Sequence, residues 1–409
     1  MASAFTPSLR TPAASRSDPA WKAVAELLQL NHEKYDVYFQ KVRNVLMHII
    51  DALSDFASLQ RHLGDPDKYA DFLAYFTREM EKDGYERSVN RLLFSSDSYA
   101  TEIFSRMVTG FIHPLIQTGF GIEFDLPILV LEGLAMACTQ NDDDVASVML
   151  EIEESASCRQ DHLSFVDILD LCVADKELLA ALKIDPFHVL DNQGLLGGPR
   201  QKVIGYTSRY AVLEHEVELR SAELCNGTSY VLAGAQRLGK EPKMDFFLLH
   251  ATNCSILVDS IIHKDWISLQ GKARLLSWFG RYSIMLYIAM GCPKLDLTPV
   301  LTYKPRGGFG GWKDVIDRSL TYKDDGHGCK IIRALIHAQQ VTRHFGDRKE
   351  FRMKEMYFEK VATAVVDSWL PNDVVARAGH DQVEAWIRFA GFDEVWDHVP
   401  NIKQDVGQM

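Results

Sequence analysis

Apolar residues recur at intervals of three and four along almost the whole chain, and this spacing restricts the fold more than any other feature. From Trp21 it runs through Val24, Leu27, Leu28, Tyr35, Tyr38, Phe39, Val42, Leu46, Ile49, Ile50 and Leu53. Residues three or four apart share one face of an α-helix, so each such run predicts a helix with a buried stripe. Gly64-Asp65-Pro66 breaks the pattern; a second helix passes through Tyr69, Phe72, Leu73 and Phe76 and stops near Gly84. A third is expected from about Ala100 to Phe111, where His113-Pro114 interrupts it, because a residue before proline is pushed away from the helical region. Asp125-Leu126-Pro127 opens another, and helical patterns continue over 165–182, 212–224, 246–262, 273–290, 331–345 and 357–370. Short β-branched runs such as 297–303 are too few to build a sheet, and no internal repeat is visible. The expectation is a mainly α protein: one large helical domain over residues 20–409, with any metal site lying between helices.

Bulk properties exclude several classes. The net charge of -12 and the absence of a basic run argue against nucleic-acid binding, which needs a cationic surface. The longest apolar stretch, from Ile128 to Cys138, contains Glu132 and is shorter than a membrane span. Residues 1–19 are rich in Ser, Pro and Ala without an apolar core, and read as a disordered tail rather than a secretory signal. Seven scattered cysteines without a CxxC pair predict free thiols in a reducing compartment, and a cytoplasmic location follows. Without a secretory signal, Asn226-Gly227-Thr228 reads as an accidental glycosylation sequon.

Most candidate motifs reduce to structure. RGGFGGW at 306–312 lacks a P-loop lysine and the spacing of a dinucleotide fingerprint, so it reads as a loop, and NADPH use has no binding fingerprint behind it. Asp142-Asp143-Asp144 lacks the alternating spacing of a calcium loop and reads as a solvated helix start. Asp324-Asp325-Gly326 reads as the start of a helix on which His327 and Lys330, three apart, share a face. By spacing alone this pair is a solvated edge.

Four of the fourteen histidines stand in apolar contexts: His48 in VLMHII, His113 in GFIHPLI, His250 in FFLLHAT, and His327. Each alone reads as a core histidine satisfied by a backbone carbonyl. Four on separate helices favour a shared metal site more than one does, since bundles build such sites from inward side chains. No HExxH-type signature shows that they converge. Glu123, ten residues after His113, is open to three readings: ligand, partner of a histidine, or structural acid.

Several segments, NHEKYDVYF at 31–39, GFIHPLIQTGFGIEFDLP at 110–127, DFFLLHATNCSIL at 245–257, DDGHGCKIIRAL at 324–335 and WIRFAGFDEVWDHVP at 386–400, resemble in order the questin oxidase-like family. These are fungal oxygenases of secondary metabolism, linked to Baeyer–Villiger-type or ring-opening oxidation of anthraquinones and related polyketides. In one branch the resemblance implies a non-haem Fe(II) held by four histidines and a carboxylated lysine; the matching positions are His48, His113, His250, His327 and Lys330. A lysine ammonium has no lone pair to give, but a buried neutral amine can take up CO2, and the resulting carbamate is an anionic oxygen ligand. Glu123 or Asp325 would then orient imidazoles through their second N–H. The resemblance implies a small aromatic polyketide and O2 as substrates. Phe111, Phe120, Phe124, Phe246 and Phe247 could supply apolar walls, and serve equally well as plain core.

Two departures bear on the substrate. Arg43-Asn44-Val45 stands where relatives carry a His-Asn-His segment, and the stretch before GDPDKY is shorter than usual. Two other readings stay open. One is a metal-free Baeyer–Villiger monooxygenase using the same histidines as bases; the other is a non-catalytic, polyketide-binding helical protein.

Overall fold

The computed structural model describes residues 60–306, 308–369 and 385–402. His48, Arg43-Asn44-Val45 and the tail at 1–19 lie outside the described residues. The described chain is mainly α as expected, with two isolated bridges and no strand among these residues. It forms two compact units. One runs up to Leu150 and takes in Leu257–Lys272; the other comprises Glu151–Ile256 and the chain from Ala273 onward.

In the first unit, helix α1 (Tyr69–Asp83) buries Phe72, Tyr75, Phe76 and Met80 on one stripe. It ends where Gly84 takes φ +79 and returns its N–H to Met80 O at 2.9 Å, since only glycine adopts that conformation freely. Helices α2 (Tyr85–Val89) and α3 (Ser98–Arg106) follow. Helix α3 stops earlier than the periodicity suggested, and His113 opens α4 (His113–Phe124) instead of interrupting a helix. Pro114 stands in the first turn, where its missing N–H would have had no partner. A left-handed Asp125 (φ +56) turns the chain into α5 (Pro127–Thr139), every residue of which from Leu129 to Thr139 is buried.

Helices α4 and α5 approach closely and run antiparallel. A Cβ on Gly121 would lie 2.6 Å from Val130 N, and one on Gly133 would lie 2.7 Å from Thr118 N and 2.8 Å from Pro114 O. These neighbours are backbone atoms and cannot step aside. Alanine ordinarily gains about 1 kcal/mol over glycine inside a helix, but overpacking costs about 1–3 kcal/mol. Gly133→Ala is therefore expected to be destabilising by about 2 kcal/mol, measured as a lower urea midpoint at unchanged m-value.

Helix α6 (Asp143–Ser157) begins in the first unit and continues into the second. In the second unit, the expected helix over 165–182 is two, α7 (Phe165–Ala174) and α8 (Lys176–Ala181). Asp175 divides them by accepting from Glu177 N and Leu178 N, both at 3.0 Å, which caps a new helix start. Helix α9 (Arg200–Thr207) leads to α10 (Val217–Gly234), which is buried along most of its length. The amide of Asn226 is buried there and exchanges two hydrogen bonds with the Met353 backbone, 2.8 and 3.0 Å. The sequon is thus internal, and the seven cysteines are free.

Helices α11 (Leu248–Ile262) and α12 (Leu269–Ala289) are the next two long elements. The run at 297–303 forms a short helix, α13 (Thr298–Leu301). Helices α14 (Gly311–Thr321), α15 (His327–Thr342) and α16 (Glu355–Ser368) pack on one another, and α15 also packs on α10. The closing segment, 385–402, lies along the chain that precedes α11. Phe246 N donates to Ile387 O at 2.7 Å, Ile387 N to Met244 O at 3.0 Å, and Ile402 N to Gly239 O at 2.9 Å. No helix of the described residues is long and apolar enough to cross a membrane.

Candidate active site

In the first unit, His113 follows three consecutive left-handed residues: Gly110 (φ +54), Phe111 (φ +52) and Ile112 (φ +64). Glycine tolerates this region, whereas a β-branched isoleucine there is a genuine outlier. Ile112 is fully buried, which holds it in place. The turn aims the imidazole so that His113 Nδ1 donates to Gly110 O at 2.6 Å. A carbonyl only accepts, so Nδ1 carries the proton and Nε2 carries the lone pair.

The second unit brings His250 and His327 together. Their ring centroids are 5.2 Å apart, and one ring nitrogen of each lies within 4.8 Å of the other. Phe246 packs on both, at 5.1 Å from His250 and 5.0 Å from His327, and the Arg388 guanidinium stands 5.1 Å from the Phe246 ring centre. Both imidazoles are buried. Asp245 sets the corner that carries Phe246 and His250: its carboxylate accepts from Phe247 N (2.8 Å) and Leu248 N (3.1 Å) at the start of α11, and from Ala390 N (2.8 Å) in the closing segment.

The tautomer of His250 is fixed as in His113. Its Nδ1 donates to Phe246 O at 2.8 Å, which makes Nε2 the lone-pair nitrogen. At His327 the acceptor is a carboxylate: Nδ1 contacts Asp325 Oδ1. His327 Nε2 is buried without a hydrogen-bond partner among the described residues. Desolvation works against the charged Asp325, but the hydrogen bond from His327 and the charge of Lys330 outweigh it and hold its carboxyl below the usual range.

The helix start at His327 forms as the sequence indicated. Gly326 is left-handed (φ +89), and Asp324 accepts from Gly326 N at 2.8 Å and Gly328 N at 2.7 Å. Lys330, one turn on, lies on the same face and folds back toward Gly326, its Cε 3.9 Å from where a Cβ on that glycine would sit. Burial lowers the Lys330 pKa below 10.5, against the opposing charges of Asp325 and Asp324.

Each described histidine of the candidate set thus has Nδ1 tied to an oxygen, an arrangement that orients a metal-ligating imidazole and leaves Nε2 as donor. A buried lone pair without a hydrogen-bond partner, as on His327, is costly unless a cation or a donor meets it. The donors fit a divalent transition metal: imidazoles from His250 and His327, and Lys330, one turn on from His327, with a lowered pKa. Glu123 stands on the last turn of α4, ten residues from His113, which sets it about 15 Å further along the helix axis. Of the expected aromatic walls, Phe246 touches the imidazoles, Phe247 packs on Phe389 (5.6 Å), and Phe120 stacks on Phe124 (5.9 Å). Asp245 and Arg388 were not singled out from the sequence. Arg388 lies within the WIRFAGF segment, and its proximity to Phe246 depends on a pairing between distant parts of the chain.

The sequence model of the questin oxidase-like family matches residues 20–335. The chain is 30% identical to Oxidoreductase AflY of Aspergillus parasiticus over 375 residues, 86% of this chain and 76% of that protein. It is 29% identical to Baeyer-Villiger oxidase ptaJ of Pestalotiopsis fici, over 93% of this chain and 94% of that one. It is 30% identical to a Questin oxidase of Aspergillus fumigatus, over 94% of this chain and 95% of the other.

Proposed function

The chain belongs to the questin oxidase-like family and is an oxidoreductase, and from that premise we propose that it is a non-haem iron-dependent oxygenase of fungal secondary metabolism. Its substrate is a polycyclic aromatic polyketide such as an anthraquinone, oxidised with O2 by Baeyer–Villiger-type insertion or C–C cleavage. Residues 20–409 act as one catalytic domain. The observation that carries this reading is His327: buried, with Nδ1 on Asp325 and its Nε2 lone pair beside His250.

The family resemblance assigns His48, His113, His250, His327 and Lys330, the lysine as a carbamate, as the metal ligands. When bound, Fe(II) supplies the one-electron chemistry that O2 activation requires. The remaining work falls to the chain. Gly110 O, Phe246 O and the Asp325 carboxylate hold the imidazoles in one tautomer each. Phe246 offers an apolar face to a flat ring, and the Arg388 guanidinium beside it attracts a phenolate oxygen.

Elemental analysis of purified protein tests the reading. About one iron per chain, with activity lost on chelation and restored by Fe(II), is expected. Activity that survives exhaustive chelation in metal-free protein would instead make the histidines general bases of a cofactor-free monooxygenase.

A further inference from the structure

We propose that Asp142 is a positioning residue for His113, acting through the Gly110 peptide; this rests on the reading of His113 as a functional imidazole. The acidic run at 142–144 looked like a solvated helix start. Helix α6 does begin there, and the Asp142 main-chain oxygen accepts from Val145 N at 3.0 Å. Its side chain, however, reaches back 32 residues: Asp142 Oδ2 accepts from Gly110 N at 2.7 Å. The same peptide unit's residue then turns its carbonyl to His113, so Gly110 donates to a carboxylate and accepts from an imidazole.

This connection sits on the most strained backbone around His113. Left-handed conformations at Phe111 and Ile112 cost of the order of 1–3 kcal/mol each and persist only where the surroundings over-determine them. Asp142 is one such determinant, and its neighbours hold it. The largely buried Arg106 donates to Gln140 O at 3.2 Å and pairs with Asp143, which fixes the main chain on both sides of Asp142. The Gln140 carboxamide lies over Gly110, with Cδ 2.7 Å from where a Cβ would stand, and the left-handed φ of +54 would strain any other residue there. Gly110, and with it the acceptor for His113 Nδ1, is therefore held from the 140–143 segment.

The test separates positioning from helix capping. In full-length, metal-free protein labelled with 15N-histidine, two-bond 1H–15N correlations read the His113 tautomer directly. Wild type is expected to show Nδ1 protonated. Asp142→Ser keeps a good N-cap residue for α6, but its hydroxyl is too short to reach Gly110. It is expected to abolish the single-tautomer pattern of His113 and to weaken Co(II) binding, read by titration, about 10–100-fold. Asp142→Asn retains an acceptor oxygen and is expected to restore both. A wild-type His113 pattern and wild-type Co(II) affinity in Asp142→Ser would overturn the proposal. His113→Ala, titrated in parallel, tests the premise separately: unchanged Co(II) affinity there removes His113 from the ligand set, while the tautomer measurement still decides the role of Asp142.

Discussion

Lys330→Ala is expected to leave a folded protein with little bound iron and turnover at background. Alanine is the best helix former, and Lys330 is only half-buried on α15, so the substitution removes a functional group with small cost to the helix. On the proposed reading, the lost function is the carbamate. CO2 adds only to a neutral amine, forming an N–C bond and releasing a proton, and burial lowers the Lys330 pKa below 10.5 so that the neutral form is more abundant than in a free lysine. The pH dependence has a defined sign. Between the lowered native pKa and 10.5 the unfolded chain binds more protons at this group than the native chain does, so the metal-free protein gains stability as pH rises through that window. Carbamate formation follows the same direction. Added bicarbonate is expected to raise iron loading of metal-free wild type more at mildly alkaline than at mildly acidic pH, and to do nothing for Lys330→Ala. Lys330→Arg, which keeps a cation but cannot form the carbamate, is expected to fail like alanine. Stoichiometric iron in purified Lys330→Ala would remove the lysine from the ligand set.

Much of the helical architecture was legible because helix formation here follows local apolar spacing. The stripe at Ile331, Leu335 and Ala338 on α15 is readable from the sequence and is buried as read. The helix start at His327 was legible for the same reason: Asp324 and Gly326 are local signals, and the hydrogen bonds that realise them span two to four residues. What escaped depends on contacts between distant residues. Phe111 and Ile112 contradict their own backbone preferences, and among what holds them are the burial of Ile112 and the hydrogen bond from Gly110 N to Asp142, 32 residues away. Proline after His113 looked like an interruption, since a proline and a helix start differ only in what precedes them. In the candidate site, His250 and His327 were singled out by their apolar surroundings and do stand side by side. Their shared neighbour Phe246 was suggested as a wall, but the carboxylate beneath that corner, Asp245, had no local signature: its third donor, Ala390 N, comes from 145 residues away.

That carboxylate carries the second large effect. Asp245→Ala is expected to destabilise the protein by about 3 kcal/mol, through a lost helix cap worth about 1 kcal/mol and a buried N–H at Ala390 left without its acceptor at about 1–3 kcal/mol. The loss falls on the corner that holds Phe246 against both imidazoles, so metal affinity should fall along with stability. Asp245→Asn separates shape from charge. Burial pushes the Asp245 carboxyl up to about 6, although three backbone N–H groups and Arg388 pull it down. Between the unfolded value of about 4 and this native value, the native state holds a proton that the unfolded state has released. Stability from this group therefore falls as pH rises through that window, and the native carboxylate is at its most costly near neutrality. Asparagine keeps the side-chain shape and one acceptor oxygen but cannot titrate. Urea midpoints of wild type and Asp245→Asn should lie closest at pH 4.5, where the native carboxyl is protonated and neutral like the amide, and the wild-type midpoint should fall relative to that of the variant by pH 7. A stability change under about 0.5 kcal/mol in Asp245→Ala, the range of ordinary surface substitutions, would show that the closing segment is held to α11 by other contacts.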